Sequence, residues 1–286
     1  METLLGKERA RILIEALPFI QEYENQIVVI KYGGQAMIDD ELKQAVMDDL
    51  LLLQLVGIHP VLVHGGGKEI SRMLEALNIE SRFEDGYRVT SKEAMEIVEM
   101  ILCGKVNKEL VSLLSGKGIG LSGLDGNLAL AVPKQGSKGQ SLGYVGQIEQ
   151  VDPKILLDLI DGGYIPVIAS VAKGVYDNHS YNINADDMAS QIAKSLHAKK
   201  LILLSDIKGL MRDMNDETSL IEKVRVSQVP ALIKEGIISG GMIPKIDCAV
   251  EAVRNGSKAT ILDGRVPHSI LIELFSMQGE GTEFSA

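Results

Sequence analysis

The sequence predicts an α/β protein built on a buried, mainly parallel sheet. Two apolar, β-branched runs each end in a glycine cluster: Ile27-Val28-Val29-Ile30-Lys31-Tyr32-Gly33-Gly34 and Val61-Leu62-Val63-His64-Gly65-Gly66-Gly67-Lys68. Apolar runs of this kind read as strands covered on both faces, and a helical pattern follows each after a short turn. Strands and helices keep alternating toward the C-terminus, the pattern of an α/β sheet.

The chain opens on residues 1–24, where Ile12, Leu13, Ala16, Leu17 and Ile20 recur at helical spacing. They predict an amphipathic helix. Charged residues interrupt every apolar stretch of this segment, so it does not read as a signal peptide. Lying before the first core strand, it packs either on its own domain or on another subunit. Residues 39–56 predict a long helix with Asp39 or Asp40 as N-cap. A second helix is expected over 68–77, and a long third one over 91–117, capped by Ser91 and stopped at Gly118.

From 121 to 150 the pattern shortens to strands with glycine-rich turns, including Gly136-Ser137-Lys138-Gly139, and predicts β-hairpins over the sheet edge. Residues 165–169, 201–204 and 259–262 read as buried strands, and 185–196 and 244–255 as helices. The sequence shows no internal repeat, low-complexity tract or transmembrane run.

At 286 residues the chain can form one large domain or two lobes. Hydrophobic content of 45% and charged content of 24% are those of a globular enzyme. A net charge of −10 argues against nucleic acid as a partner and does not favour an anionic membrane surface. An anionic substrate must therefore be met by local positive charge. Cys103 and Cys248 both fall in apolar helical stretches, which points to reduced core thiols of a cytoplasmic protein. No Cys or His cluster has zinc-site spacing, so no resident metal is expected.

Glycines at a strand end let the backbone turn tightly and bring bare N–H groups close to a ligand. Converging N–H groups near a helix N-terminus bind phosphate or carboxylate. Two such loops on one sheet suit two anions facing each other, as phosphoryl transfer requires. The common phosphate loop G-x-x-x-x-G-K-[ST] is absent: Leu62 stands where its first glycine belongs, and Glu69 follows Gly67-Lys68. Gly118-Ile119-Gly120-Leu121-Ser122-Gly123 fits the dinucleotide fingerprint G-x-G-x-x-G, but it follows a predicted helix and precedes strand-like residues, the reverse of the required context.

Three segments of the second half carry further candidates. Tyr181-Asn182-Ile183-Asn184-Ala185-Asp186-Asp187 crowds polar groups between an apolar strand and a helix. Helix capping explains one or two of them, not four. Leu203-Leu204-Ser205-Asp206-Ile207-Lys208-Gly209-Leu210 ends a strand in a polar turn of the kind that lines a nucleotide site. Ser239-Gly240-Gly241-Met242-Ile243-Pro244-Lys245 puts a lysine at a helix N-terminus, against the macrodipole, a conflict that a bound anion would offset.

Taken in order, these motifs resemble the amino acid kinase family, in its branch acting on N-acetyl-L-glutamate. Lys31-Tyr32-Gly33-Gly34, His64-Gly65-Gly66-Gly67, Gly86-Tyr87-Arg88-Val89-Thr90, Asn182-Ile183-Asn184-Ala185-Asp186, Leu204-Ser205-Asp206 and Gly240-Gly241-Met242-Ile243-Pro244-Lys245 carry the likeness, which runs from about Ile27 to the C-terminus. The resemblance implies a three-layer αβα sandwich with a mainly parallel open sheet, in an acceptor lobe (26–172) and a nucleotide lobe (173–286), after an N-terminal helix (1–25).

The same resemblance implies transfer of the ATP γ-phosphoryl group to the side-chain carboxylate of N-acetyl-L-glutamate, a step of arginine biosynthesis. Lys31 and Lys245 would flank the transferred group, with Asp186 holding both lysines. Gly33, Gly34 and Gly66 would offer backbone N–H groups to phosphoryl oxygens, and Gly66 and Gly67 would also meet the acceptor. Arg88 would clamp its α-carboxylate and Asn182 would bind the same ligand. The segment 206–211, with Asp206, Gly209 and Met211, and the segment 237–239, with Ile237 and Ser239, would line the nucleotide pocket. Mg²⁺ would bridge the phosphates, held mainly by them and by water.

The tail His268-Ser269-Ile270-Leu271-Ile272-Glu273-Leu274-Phe275, followed by Gly279-Glu280-Gly281-Thr282, is similar to that of arginine-inhibited members. In those the N-terminal helix interlaces dimers into a hexamer, and L-arginine binds between that helix and the C-terminal lobe. Here Glu273 would take the guanidinium, with His268 and Gly279 nearby; the plainer reading is a C-terminal helix with a frayed end. A sister kinase acting on acetylaminoadipate, aspartate, glutamate, carbamate or a nucleoside monophosphate, an arginine sensor on an inactive kinase and an interaction protein are the alternatives. Intact Lys31, Asp186 and Lys245 speak against an inactive kinase. Some members bind the nitrogen-signalling PII protein, but no residue here supports that partner.

Overall fold

The structure, a computed structural model, describes residues 6–213 and 216–286. Helix α1 (Gly6–Tyr23) leads into β1 (Ile27–Tyr32), α2 (Asp40–Leu55), β2 (His59–His64) and α3 (Gly67–Ala76). A short antiparallel hairpin of β3 (Arg82–Glu84) and β4 (Tyr87–Val89) precedes a helical run of α4 (Lys92–Glu99), a π-helical stretch (Met100–Val106) and α5 (Asn107–Leu113). Then follow β5 (Gly118–Ser122), β6 (Ala129–Gln135), β7 (Ser141–Val151), α6 (Lys154–Asp161), β8 (Ile165–Ala169), β9 (Val171–Gly174), β10 (Ser180–Ile183) and α7 (Ala185–Ser195). The chain closes with β11 (Lys200–Ser205), β12 (Lys223–Arg225), α8 (Val229–Lys234), α9 (Ile243–Arg254), β13 (Lys258–Asp263), α10 (Ser269–Phe275) and β14 (Thr282–Ser285).

Eight strands form one sheet in the order β12-β14-β13-β11-β1-β2-β8-β5. Every neighbouring pair in it is parallel except β13–β14. Side chains alternate between its faces with a period of two. From β1, Val28 and Ile30 pack with Met47, Leu50 and Leu53 of α2, whereas Val29 packs with Met188, Ala189 and Ile192 of α7. The helices thus cover both faces, giving the three-layer αβα sandwich. Its sheet runs unbroken across both lobes, and the 172/173 division falls inside β9. The expected hairpins over 121–150 are β6 and β7, which close a four-stranded ring with β9 and β10.

Several expectations need correction. The third helix ends at Leu113 rather than Lys117, because Ser115 (φ 48°) and Gly116 (φ 76°) take left-handed backbone and turn the chain. Gly118 therefore starts β5, so Gly118 and Gly120 of the dinucleotide-like pattern lie in an edge strand paired with β8, and Gly123 follows it, donating its N–H to the Val171 carbonyl at 2.7 Å. The C-terminal tail does not fray after α10; it returns as β14 between β13 and β12. In helix α1 the part expected over 1–5 lies outside the described residues. Ile20 and Ala16 are half-buried, α1 packs along α10, and Ile12, Leu13 and Leu17 stay exposed on this chain. Among the described residues, no helix is long and apolar enough to cross a membrane.

Candidate active site

Strand β1 pairs with β2 on one side and β11 on the other, so the connections diverge there. Open α/β sheets bind ligands at such a point, beyond the carboxyl ends of the strands. Lys31 is the penultimate residue of β1 and shares the Val29 face, toward α7. Asp186 lies in the first turn of α7, where Asn184 caps the helix by accepting from the Asp186 N–H at 2.7 Å. A carboxylate is favoured there by the helix dipole. Lys245 lies in the first turn of α9, next to Pro244.

These three residues meet. Lys245 Nζ donates to Asp186 Oδ2 at 2.8 Å. Lys31 Nζ lies 3.0 Å from Oδ1, an ion pair off the line of a hydrogen bond. Burial alone would raise the Asp186 carboxyl, but the ammonium groups of Lys31 and Lys245 outweigh it and hold its pKa at about 2. Burial lowers the pKa of Lys31, an effect that Asp186 opposes and Lys245 reinforces. Asp186 thereby keeps two lysines close together that would otherwise repel.

Two cavities meet at this triad. The first, about 790 Å³, is walled by Lys31, Gly33, Gly34, Gly66, Gly67, Arg88, Asn182 and Asp186, with Leu102 and Val106 on an apolar side. The second, about 360 Å³, is walled by Met211, Ile237, Ser239 and Lys245. Asp206 is exposed in the loop after β11 and comes close to Gly34, where a Cβ would lie 2.4 Å from Asp206 Oδ1. Gly209 packs on the tail, since a Cβ there would lie 2.5 Å from Thr282 Oγ1. Neither residue is a wall of the second cavity.

Gly66 precedes α3, and a Cβ on it would come within 2.7 Å of Leu102 Cδ2. Arg88, on β4, is buried. Its Nη2 donates to the Gly67 carbonyl at 2.9 Å and to Ser71 Oγ at 2.7 Å, and its Nη1 donates to Ser81 Oγ. The guanidinium stacks 4.6 Å over the Phe83 ring. All of these partners are neutral, and among the described residues no carboxylate pairs with Arg88. A buried cation without a counter-ion beside a cavity suits an anionic ligand. Asn182, on β10, donates to Thr90 Oγ1 at 3.3 Å and joins the same wall.

His64 is a support rather than a reagent. Its Nδ1–H donates to the Gly65 carbonyl at 2.9 Å, and Nε2 accepts from Asn107 Nδ2 at 3.1 Å. Burial lowers its pKa to about 4 and keeps it neutral. The sequence reading missed Ser71, Ser81 and Leu102. Only Ser71 left a signal, four residues after Gly67 and so on the same helix face.

Near the C-terminus, Glu273 and Gly279 share a small cavity of about 150 Å³ with Phe19, Glu22 and Tyr23 of α1. Glu273 already binds Lys200 Nζ at 2.6 Å and accepts from Thr260 Oγ1 at 2.9 Å. His268 does not join them: at the other end of α10, its Nδ1 lies 2.6 Å from Asp49 Oδ1.

Paired glycine-rich loops, two cavities and a Lys–Asp–Lys triad at their junction form an arrangement suited to a phosphotransferase that acts on small acids. Residues 26–263 match the amino acid kinase family, and the chain belongs to that family. It is 55% identical to the acetylglutamate kinase of Clostridium beijerinckii over 279 residues, covering 96% of this chain and 97% of that one. It is 50% identical over 291 residues to the acetylglutamate kinase of Heliobacterium modesticaldum, covering 98% of both. Among solved structures it resembles the N-acetylglutamate synthase of Neisseria gonorrhoeae complexed with coenzyme A and N-acetyl-glutamate (TM-score 0.83, 25% identity). That likeness covers 97% of this chain but 63% of the synthase. The carbamate kinase of Giardia lamblia bound to AMP-PNP shares the fold, at TM-score 0.65 and 15% identity over 91% of this chain and 98% of that one.

Proposed function

We propose that this chain transfers the γ-phosphoryl group of ATP to the side-chain carboxylate of N-acetyl-L-glutamate, giving N-acetyl-L-glutamyl 5-phosphate and ADP. One observation carries the reading: Asp186 walls one cavity, Lys245 walls the other, and the two are hydrogen-bonded at 2.8 Å. A donor phosphate in the second cavity and an acceptor carboxylate in the first would meet beside Lys31 and Lys245. The acceptor is already a nucleophile at neutral pH, so the chemistry needs no general base. What it needs is two anions held in line and charge stabilisation on the moving phosphoryl group. The lysines and the N–H groups of Gly33, Gly34 and Gly66 supply that charge stabilisation, while Arg88 and Asn182 fix the acceptor.

ATP enters as its Mg²⁺ complex. Both oxygens of Asp186 face lysines, and the described residues hold no cluster of three His, Cys, Asp or Glu side chains that could grip a cation. By the family resemblance the ion would be carried mainly by the phosphates and water, as part of the substrate. Residues 26–172 supply most of the acceptor site and 173–286 the nucleotide site, although Asn182 and Asp186 reach across. The free thiols Cys103 and Cys248 suit a cytoplasmic setting.

A regulatory reading is favoured by the cavity between α1 and Glu273. We infer that it takes the guanidinium of L-arginine, in competition with Lys200, and that the exposed Ile12, Leu13 and Leu17 dock α1 on another copy of the chain in a hexamer. Hydroxylamine trapping of acyl phosphate with MgATP tests the main reading, using N-acetyl-L-glutamate, glutamate, aspartate and N-acetyl-aminoadipate in parallel. Hydroxamate from N-acetyl-L-glutamate alone is expected; none from it, or an equal yield from another acceptor, overturns the assignment.

A further inference from the structure

The hairpin that carries Arg88 is two short strands, and a two-stranded hairpin in water has little stability of its own. It is held from outside. The Asp85 carboxylate accepts from Ser137 N–H at 2.7 Å and from Ser137 Oγ at 3.0 Å, while Gln140 Nε2 donates to Glu84 at 2.7 Å. These contacts fix the hairpin tip to the β6–β7 turn. Its other end is fixed by Thr90, whose N–H donates to the Leu142 carbonyl at 3.1 Å and whose carbonyl accepts from Tyr144 N–H at 2.7 Å.

A third anchor runs to the catalytic helix. Lys134, on β6, places Nζ 4.5 Å over the ring of Tyr87, the residue before Arg88. The same Nζ lies 3.8 Å from Asp187 Oδ2, the residue after Asp186. Asp187 is fixed in turn by the Cys248 thiol, which donates to Oδ1 at 3.3 Å from α9, one turn beyond Lys245. Neither Lys134 nor Asp187 borders the acceptor cavity. Consecutive helical residues face different ways, so Asp187 does not compete with Asp186 for the lysines.

We propose that Lys134 is a positioning residue that ties the Arg88 hairpin to the start of α7, setting the distance between acceptor clamp and triad. This rests on the acceptor site proposed above. Lys134 acts through two contacts: its charge pairs with Asp187, and its ammonium group sits on the Tyr87 face.

The test compares Lys134→Met, Lys134→Arg and Asp187→Asn in the full chain. In the ligand-free protein, Lys134→Met should speed amide exchange over residues 82–89 and leave β1 and β11 unchanged. With substrates it should raise the KM for N-acetyl-L-glutamate about fivefold, the loss expected for one such cation–π contact, with kcat and the KM for ATP nearly constant. Lys134→Arg should restore both readouts. Asp187→Asn should raise the same KM, and the double variant should fall short of the product of the two single effects. Unchanged exchange over 82–89, or equal rises in both KM values, overturns the proposal. The exchange arm needs no substrate: if the wild type forms no hydroxamate, the acceptor assignment fails while exchange still reads the anchor.

Discussion

Lys245 Nζ and Asp186 Oδ2 stand 2.8 Å apart although 59 residues separate them, and each lies in the first turn of its own helix. The dipole of α9 disfavours an ammonium group there, whereas that of α7 favours a carboxylate. Their contact offsets the unfavourable dipole and leaves Lys245 on the wall of the second cavity.

Removing that charge should strike the chemical step. Lys245→Ala is expected to cut kcat by about 10²–10³, the usual cost of one lost transition-state donor, with acceptor affinity nearly intact. Steady-state kinetics with both substrates varied provide the check, and wild-type turnover would remove Lys245 from the mechanism.

Arg88 predicts the opposite signature. Its guanidinium is buried among neutral partners, so Arg88→Ala should raise the acceptor KM by roughly 10–100-fold and spare kcat, as loss of a charge-assisted contact does. Arg88→Lys should recover little, since an ammonium group cannot reproduce the planar fork. An unchanged KM in the alanine variant removes Arg88 from the clamp.

His64 makes stability depend on pH. Its folded pKa of about 4 lies below the ordinary 6.5, so the unfolded chain binds the proton more tightly. Its contribution is therefore fully present above 6.5 and is lost as pH falls toward 4, by about 3 kcal/mol in all. Asp49, raised from 3.8 to about 6 by burial, acts with the opposite sign over that lower range. Urea titrations of wild type and His64→Gln at pH 4 to 7 isolate the histidine, because the Asp49 contribution is common to both. Parallel stability curves would show that His64 does not titrate as described.

Helix α1 predicts assembly. Leu13 and Leu17 are 71% and 45% exposed, and introducing charge there should leave this chain's core untouched. The double variant Leu13→Glu with Leu17→Glu is expected to form a smaller, active oligomer with a weakened arginine response. Sedimentation velocity reads the size; a species the same size as wild type would contradict docking of α1 on another copy.

Much of the site was legible because its parts are local. A glycine pair after a β-branched strand, an Asn-Ala-Asp run opening a helix and a lysine at a helix start each leave a short pattern. Arg88 was legible as a residue, but its hairpin was not, because Arg82–Glu84 and Tyr87–Val89 are too short for a period of two to stand out. The long third helix was placed correctly at its start, where Ser91 caps it, and overrun at its end. There the stop comes from left-handed Ser115 and Gly116 rather than from Gly118.

By itself the sequence determined which strands are buried on both faces and which charged residues sit at strand and helix ends. Periodicity and residue chemistry act over a few positions, and that is as far as they reach. The tertiary structure decided that one carboxylate serves both Lys31 and Lys245, that Glu273 holds Lys200 while His268 turns to Asp49, and that Lys134 joins Tyr87 to Asp187. Those pairings depend on how the helical layers seat on the twisted sheet and on which distant side chains are desolvated together, which no local pattern encodes.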